Sequence, residues 1–415
     1  MSVFNQFNPC SILSKSSTIM KFKTEIIQII LFIVTLITTT LAGAEAMNGK
    51  FFFLVPEAYT LHFPDDFWQG FQFSIPFLGI LTCHEFGHYF MARYYKIKVS
   101  LPYYIPMWLS AFTSLSFGTM GAVIRILGRT RSRKEYFDIG IAGPLAGFVV
   151  SLGVLYYGFT HLPPLEYIFK IHPEYAKFGA NYPWEIMKVT KFMDGQIVLG
   201  DNLLFKFFKT YIADPKLLPP NFEIMHYPVI WAGYISLFFT ALNLIPIGQL
   251  DGGHILYGLI GKKTFNLISP IIFVGFALFA GYGLFTINDI KNFGTIGQYK
   301  DESDFFTWLF IYIFFLRICF SRISENQMTA WVLSLSVVLI QFLLSYIPQI
   351  STLHGFSGFL PFILLLGRFL GIYHPEVEID EPLDLKRKLL GWFTLLIFIL
   401  CFTPYPFMQI DFSAK

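Results

Sequence analysis

Long apolar stretches separated by short polar or charged ones dominate the chain from about residue 25 to near its end. The stretches lie at about 25–43, 74–92, 137–159, 228–247, 267–286, 305–320, 330–347, 357–371 and 389–406. A helix that crosses a bilayer needs about 20 mostly apolar residues, and the stretches after residue 300 are the shortest relative to that length. The pattern predicts an all-α polytopic membrane protein with about eight or nine transmembrane helices.

The spacing of these stretches divides the chain into three predicted parts. Residues 1–73 hold an N-terminal tail, the first span and an external loop, residues 74–260 form a central membrane core, and residues 261–415 hold C-terminal transmembrane helices. The first span is long enough to remain as an anchor rather than be removed as a signal peptide. An organellar transit peptide stays open as an alternative, although residues 1–20 contain no arginine.

The longest polar connection lies at residues 161–226, between the third and fourth stretches. It contains seven prolines: Pro163, Pro164, Pro173, Pro183, Pro215, Pro219 and Pro220. We expect a partly ordered excursion rather than an independent domain, because the segment is too short for a peptide-binding module with linkers.

Composition agrees with a membrane protein. Of the 415 residues, 54% are hydrophobic and only 14% are charged, where a soluble domain carries about a quarter charged residues. The net charge of +3 gives no case for nucleic-acid binding. The four cysteines fit neither a disulfide framework nor a CxxC metal site, so they are interpreted as apolar filler: Cys10, Cys83, Cys319 and Cys401.

The basic residues orient the predicted bundle. The densest basic cluster lies between Arg93 and Lys134, and cytoplasmic segments carry the excess of lysine and arginine. With nine spans, the N-terminal lysines and the basic groups near residues 262, 317 and 386 fall on the same, cytoplasmic side. The 161–226 loop then lies on the opposite side.

The second apolar stretch contains the motif HEFGH. His84 and His88 are four residues apart, so on a helix both imidazoles lie on one face and can bind one ion. Glu85 lies about 100° around the helix from His84, where it can accept a proton from a metal-bound water. A chance match is the alternative, but ionisable groups inside an apolar helix cost about 2.5–3.5 kcal/mol each and mark functional sites.

A zinc site of this kind needs a third protein ligand. Asp251, in the sequence LIPIGQLDGGH, is the only acidic residue between Glu223 and Asp289. Taken alone, Asp251 is more typical of a helix N-cap. Beside an incomplete two-histidine site it becomes the preferred ligand, and in the nine-span topology it lies at a similar depth to HEFGH.

Two further polar positions lie near these motifs. Asn243 could hydrogen-bond a substrate backbone or a developing oxyanion, or it could cap backbone groups freed by Pro246. His254 is expected to lie beside the ligands or at an interface rather than to bind metal. The other histidines are interpreted as loop or helix-end residues without a site: His62, His161, His172, His226, His354 and His374.

HEFGH followed by NLIPIGQLDGGH resembles the site-2 protease family of intramembrane metalloproteases. The stretches SLPYYIP, FDIGIAGPLAGF and HPEVEIDEPLDLKRKLLGWF are similar to the bacterial and plastid subgroup without a PDZ domain. The resemblance runs from about residue 24 to 410. It implies that His84, His88 and Asp251 bind Zn²⁺, that Glu85 is the general base and that Asn243 contacts substrate.

Residues 99–127 are apolar but broken by prolines and glycines, so an upright helix is not expected. A re-entrant hairpin buried in protein is allowed at membrane depth, and a plain interfacial loop is the alternative. The resemblance implies a membrane-embedded β-loop beside the zinc, whose strand edge could hold an unwound substrate. Gly143 and Gly147, four residues apart, predict close packing of the third helix against the metal-bearing helices.

These observations predict a zinc-dependent peptidase that cuts single-span membrane proteins within the bilayer. It would be an integral, multi-pass protein, of a bacterial inner membrane with the site toward the cytoplasm, or of an organellar membrane. A metal transporter or sensor with the same ligands is the alternative, although a transporter should spread ionisable groups along a path. An inactive protease acting as a chaperone is disfavoured by the intact Glu85.

Overall fold

The protein is predominantly helical. The computed structural model describes residues 9–52, 60–108, 116–188, 197–291, 299, 301–350 and 353–409, with side chains from residue 24 onward. The α-helices are α1 Pro9–Asn48, α2 Asp65–Gln69, α3 Phe71–Tyr94, α4 Arg133–Thr160, α5 Glu166–Ile171, α6 Tyr182–Met187, α7 Leu203–Tyr211, α8 Pro228–Leu244, α9 Asp251–Ala280, α10 Ile287–Lys291, α11 Glu302–Phe320, α12 Gln327–Leu344, α13 Leu360–Leu364 and α14 Leu385–Cys401. Short 3₁₀ turns cover Pro173–Asn181, Ile224–His226 and Ser357–Phe359, and a π-helical turn covers Leu365–Leu370.

Several helices begin where the sequence supplies a capping side chain. Ser132 accepts a hydrogen bond from the Glu135 amide and Glu135 bonds back to Ser132, a capping box that starts α4. Side-chain caps also start four other helices: Asn202 for α7, Asp301 for α11, Asn326 for α12 and Asp384 for α14.

In the described part, five helices are long and apolar enough to cross a membrane. They are Thr24–Asn48, Arg133–Thr160, Asp251–Ala280, Glu302–Phe320 and Gln327–Leu344. Pro228–Leu244 and Ser357–Leu370 are apolar but shorter. Helix α3 falls outside the five because its ionisable residues lower its mean hydropathy. The chain is thus a multi-pass membrane protein, and the expected count of eight or nine spans stays a prediction.

Large apolar side chains cover the outer faces of the C-terminal helices. On α11, Phe306 and Phe310 are more than half exposed, and on α12 Leu335 and Leu339 are as well. Contiguous exposed apolar surface of this kind is rare on soluble monomers and suits contact with lipid.

Helices α3, α4 and α8 share the main hydrophobic core. Phe73 and Phe77 of α3 pack with Ile141 and Phe148 of α4 and with Ile235 of α8. A second core joins α9 to the C-terminal helices. Helix α9 is interrupted at Gly261, where φ is 77°, so its first ten residues form a separate short segment.

Two small antiparallel sheets accompany the helices. Strand β1 (Tyr103–Pro106) pairs with β2 (Thr119–Val123), with an irregularity between Tyr104 and Pro106. An antiparallel pair therefore lies within the segment where a hairpin was expected, although its tip at 109–115 lies outside the described residues. Strand β3 (Ile197–Leu199) pairs with β4 (Phe407–Gln409), a contact that the sequence did not predict.

The C-terminal segment is also tied to the central core by charge. Arg387, at the start of α14, donates two 2.8 Å hydrogen bonds to the carboxylate of Asp138 on α4. Bidentate pairs of this geometry are among the stronger charge-assisted contacts. The stretch around residue 380 therefore belongs with the first turns of α4 in space.

Candidate metal centre

His84 and His88 meet on one face of α3. Both side chains are buried, and their Nε2 atoms lie 3.1 Å apart. The Nδ1 atom of His88 lies 2.7 Å from the carbonyl oxygen of Ile139. Because a carbonyl only accepts, Nδ1 carries the proton and the Nε2 lone pair is free to bind a metal. The i, i+4 spacing on α3 thus brings the two imidazoles together, as predicted.

Asp251 completes the cluster from another helix. Its Oδ2 atom lies 3.3 Å from His84 Nε2 and 3.4 Å from His88 Nε2. Leu250 occupies the N-cap position of α9, and no side chain caps it there. The interpretation of Asp251 as an N-cap is therefore wrong, because Asp251 is the first helical residue and its carboxylate faces the histidines.

The turn that delivers Asp251 depends on glycine. Gly248 has a φ of +55°, a left-handed conformation that glycine adopts without strain. A Cβ on Gly252 would approach the carbonyl oxygen of Leu244 to 2.0 Å. The chain can therefore reverse tightly after α8 only with these small residues, and the reversal places Asp251 beside α3.

The donor set suits zinc. Tetrahedral ligands about 2.1 Å from Zn²⁺ are about 3.4 Å apart, and the three donor separations here are 3.1, 3.3 and 3.4 Å. Two neutral imidazoles and one carboxylate are ligands that zinc takes readily, with a fourth position left open. The residues present therefore fit the ion.

Glu85 lies beside this cluster without joining it. Its Oε1 atom is 4.0 Å from His84 Nε2, and its side chain is 7% exposed. It also lies beside the backbone of Ile124, the residue that follows β2. A buried carboxylate next to three converging donors is placed to exchange a proton with a molecule bound at the open position.

Glycines of α4 make room for the ligands. A Cβ on Gly143 would lie 2.1 Å from His88 Nε2, and one on Gly147 would lie 3.0 Å from the Cβ of His84. A Cβ on Gly140 would lie 2.7 Å from the Cβ of His254 on α9. The predicted packing of the third apolar helix against both metal-bearing helices is confirmed, and Gly143 borders the metal position itself.

Replacing Gly143 with alanine is expected to reduce zinc occupancy and activity together. The added methyl group must displace the His88 ring, and overpacking costs about 1–3 kcal/mol while a displacement of about 1 Å costs roughly 100-fold in rate. Gly153→Ala on the same helix is the matched control, since nothing lies within 4 Å of the added Cβ there. Zinc content measured on both purified variants checks this, and equal zinc content in the two variants would contradict it.

Asn243 and His254 occupy different surroundings. Asn243 lies in the last turn of α8, half-buried, and its amide has no hydrogen-bond partner among the described residues. It therefore does not cap a described backbone group. His254 Nδ1 lies 2.9 Å from His374 Nε2, a contact that the sequence did not predict.

One further cluster of potential ligands was not predicted from the sequence. His172 and His226, interpreted as loop residues, lie with Glu223 in a second group of three potential ligands whose donor atoms are all within 4.8 Å of one another. About fifty residues separate His172 from the other two, so no motif spacing pointed to the group.

The comparisons with known proteins agree with this geometry. The model of the family described as Peptidase family M50 matches residues 72–284, just over half of the chain, and this range contains both motifs. No solved structure matches the chain significantly.

Curated relatives come from plants and bacteria. The probable zinc metalloprotease EGY1, chloroplastic, of Arabidopsis thaliana is 29% identical over 237 residues, which cover 52% of this chain and 38% of the relative. The probable zinc metalloprotease EGY1, chloroplastic, of Oryza sativa subsp. japonica is 27% identical over 310 residues, which cover 65% of this chain and 47% of the relative. Protease RseP of Photorhabdus luminescens is 30% identical over 105 residues, which cover 24% of this chain and 46% of the relative.

The chain spans less than half the length of these curated relatives, and none of them is named as a transporter. With the family model matched across the HEFGH helix, the glycine-bearing helix and the LDGGH turn, the chain belongs to peptidase family M50, the site-2 proteases.

Proposed function

We propose that this protein is an intramembrane zinc metallopeptidase that hydrolyses a peptide bond within or near the transmembrane segment of membrane-anchored proteins. One observation carries the proposal: His84, His88 and Asp251 bring their donor atoms within 3.4 Å of one another, with Glu85 beside them, on helices of a membrane protein. A two-histidine, one-carboxylate set with an adjacent glutamate is suited to hydrolysis rather than to storage.

Each residue of the proposed active site has a separate role. His84, His88 and Asp251 would hold Zn²⁺, which when bound supplies a Lewis acid that polarises the scissile carbonyl and makes water more acidic. Glu85 accepts the proton of the attacking water and later passes it to the leaving amine. The Ile139 carbonyl keeps His88 in the tautomer that binds, and Asn243 hydrogen-bonds the substrate backbone.

The β1–β2 pair provides a place for an unwound substrate. A helical substrate hides its peptide bonds, and an extended segment can add to a strand edge. The Thr82 and Tyr104 hydroxyls, 2.7 Å apart, fasten β1 to α3 two residues before the histidine motif. A strand added to this pair would therefore run beside the metal-binding helix.

The depth of this pair in the membrane is inferred from its contacts with α1. Gln28 donates to the carbonyl of Leu101 at 2.8 Å, and Thr38 donates to the carbonyl of Gly118 at 2.7 Å. Both α1 residues lie within the candidate span Thr24–Asn48. These contacts support a re-entrant hairpin, and the bundle around it is proposed to have eight or nine spans.

The proposed orientation places the metal centre toward the cytoplasm, because the basic groups near it follow the positive-inside pattern. A bacterial inner membrane is the proposed location. The chloroplastic relatives make an organellar membrane the alternative, with the site toward the corresponding side. The proposed substrates are single-span proteins in that bilayer.

Co-expression with doubly tagged single-span reporters tests the activity. We expect a shortened product whose new terminus, located by mass spectrometry, lies in or beside the reporter's apolar segment. Reporters that all stay intact beside zinc-loaded protein, together with zinc flux across vesicles containing the purified chain, would favour the transporter hypothesis instead.

Asn243→Ala is expected to lower the cleavage rate about 100-fold while zinc content stays unchanged, as for loss of one donor to a developing oxyanion. Rate and zinc content are measured on the same preparation. If Asn243 only stabilises the end of α8, thermal stability falls and the rate per folded molecule stays at the parental value.

A further inference from the structure

A second set of potential metal ligands lies at the opposite end of α8 from Asp251. His172 follows α5, Glu223 precedes the 3₁₀ turn Ile224–His226, and His226 is the last residue of that turn, just before α8 begins. The two histidine Nε2 atoms are 3.2 Å apart. The Oε2 atom of Glu223 lies 3.5 Å from Nε2 of His226 and 4.0 Å from Nε2 of His172. Three donor atoms therefore converge on one point.

The outer hydrogen bonds of both imidazoles fix which nitrogen faces that point. The Nδ1 atom of His226 lies 2.9 Å from the carbonyl oxygen of Met47, so Nδ1 donates and Nε2 carries a lone pair. The Nδ1 atom of His172 lies 3.3 Å from a carboxylate oxygen of Glu174, so this Nδ1 also donates and the Nε2 of His172 also carries a lone pair. Two lone pairs that face each other at 3.2 Å repel unless a cation lies between them.

Glu223 adds a buried acceptor to the same point. Its side chain is 2% exposed, and its Oε2 atom has no hydrogen-bond partner in the described part of the chain. A buried carboxylate oxygen without a partner costs several kcal/mol, and such groups in proteins are paired or coordinate metals. The atom left unpartnered is the one nearest both imidazoles.

We propose that His172, Glu223 and His226 form a second binding site for a divalent cation of the zinc type. Imidazole nitrogen and carboxylate oxygen are its usual ligands. Tetrahedral donors about 2.1 Å from Zn²⁺ are about 3.4 Å apart. Two separations here, 3.2 Å and 3.5 Å, are close to that value, and the third, between Glu223 Oε2 and His172 Nε2, is wider at 4.0 Å. The Met47 carbonyl and Glu174 hold the outer ring nitrogens, as partners of metal-binding histidines do.

The ion would fasten the proline-rich loop to the core. It joins the segment after α5 to the turn before α8 and, through Met47, to the last turn of α1. Helix α8 has 17 residues, so this site lies about 25 Å from the LDGGH turn, on the other side of the span. The two sites are separate, and this inference does not rest on the proposed peptidase activity.

Zinc binding to the full-length Asp251→Ala variant, purified in detergent, tests the proposal without the other centre. After exposure to Zn²⁺ and gel filtration, we expect one zinc per chain in this background and none after adding Glu223→Gln, which keeps the side-chain shape. Adding Glu174→Gln should weaken Zn²⁺ binding about 10–100-fold, as expected for an outer partner. Adding His161→Ala, an exposed loop histidine, should leave binding unchanged.

Zinc-edge X-ray absorption on the Asp251→Ala protein gives a measurement that needs no loop variant. Two imidazole ligands and oxygen in the first shell are expected, with Zn²⁺ protecting the 161–226 loop from limited proteolysis. The proposal is overturned if this background binds no zinc at all, or if Glu223→Gln leaves one zinc bound with the same spectrum. The first result would mean that shared protons, not a metal, hold the cluster together.

Discussion

Replacing Glu85 with glutamine should lower the rate of reporter cleavage by about 100- to 10,000-fold while zinc stays bound. The amide keeps the size of the side chain but cannot accept the proton of the attacking water. Glu85 is not among the three converging donors, because His84 and His88 face Asp251 instead. Cleavage rate and zinc content, both measured on the purified variant in lipid, check the two halves of this prediction.

Glu381→Gln serves as the control for the loss of one carboxylate. Glu381 is exposed and has no ion pair among the described residues. Its variant should cut at the parental rate. Parental cleavage by the Glu85→Gln protein with zinc bound would show that another group takes the proton, and loss of zinc from that variant would place Glu85 among the ligands.

Replacing Asp251 with alanine should remove both the ion and the activity. Two histidines remain, and loss of an outer-shell partner alone already costs about 10–100-fold in metal affinity, so loss of a ligand should cost more than about 100-fold. The zinc content of the purified chain should fall by one equivalent, and cleavage should become undetectable. Glu381→Ala, which also removes an acidic side chain, should change neither quantity.

A result that keeps zinc at its parental content in Asp251→Ala would contradict the assignment of this ligand. Cleavage that is rescued by high Zn²⁺ concentration would instead support it, because a weakened site refills by mass action. The thermal unfolding of the variant, followed in parallel, separates loss of a ligand from loss of the fold.

Local patterns in the sequence were sufficient for the metal-binding pair. The i, i+4 spacing of His84 and His88 dictates a shared helix face, and the structure has both on one face of α3. Asp251 required a further step, because its local pattern favours an N-cap. Only the incomplete ligand count of the first motif favoured the ligand interpretation.

Contacts between distant segments could not be predicted. Residue His172 meets Glu223 and His226 only because the loop after α4 folds back onto the start of α8. Strand β4 pairs with β3 across about two hundred residues. Neither contact leaves a period or a spacing in the sequence, since pairing of distant segments depends on the tertiary fold.

Length and hydropathy identify only some of the site's helices as candidate spans, for a physical reason. Helix α3 carries the metal ligands, and the ionisable groups that give it a function also lower its mean hydropathy. Helix α8 has 17 residues and ends at the turn that delivers Asp251, so it is shorter than an upright span. Two helices of the site, α3 and α8, are therefore not among the five candidate spans, whereas α9, which carries Asp251, is one of them.

Anomalous diffraction at the zinc edge from crystals of the full-length protein tests the central claim most directly. We expect an anomalous peak within about 2.3 Å of His84 Nε2, His88 Nε2 and an Asp251 carboxylate oxygen, with Glu85 outside the ligand shell. No peak between these atoms in zinc-supplemented crystals, or an Asp251 carboxylate far from both histidines, would contradict it.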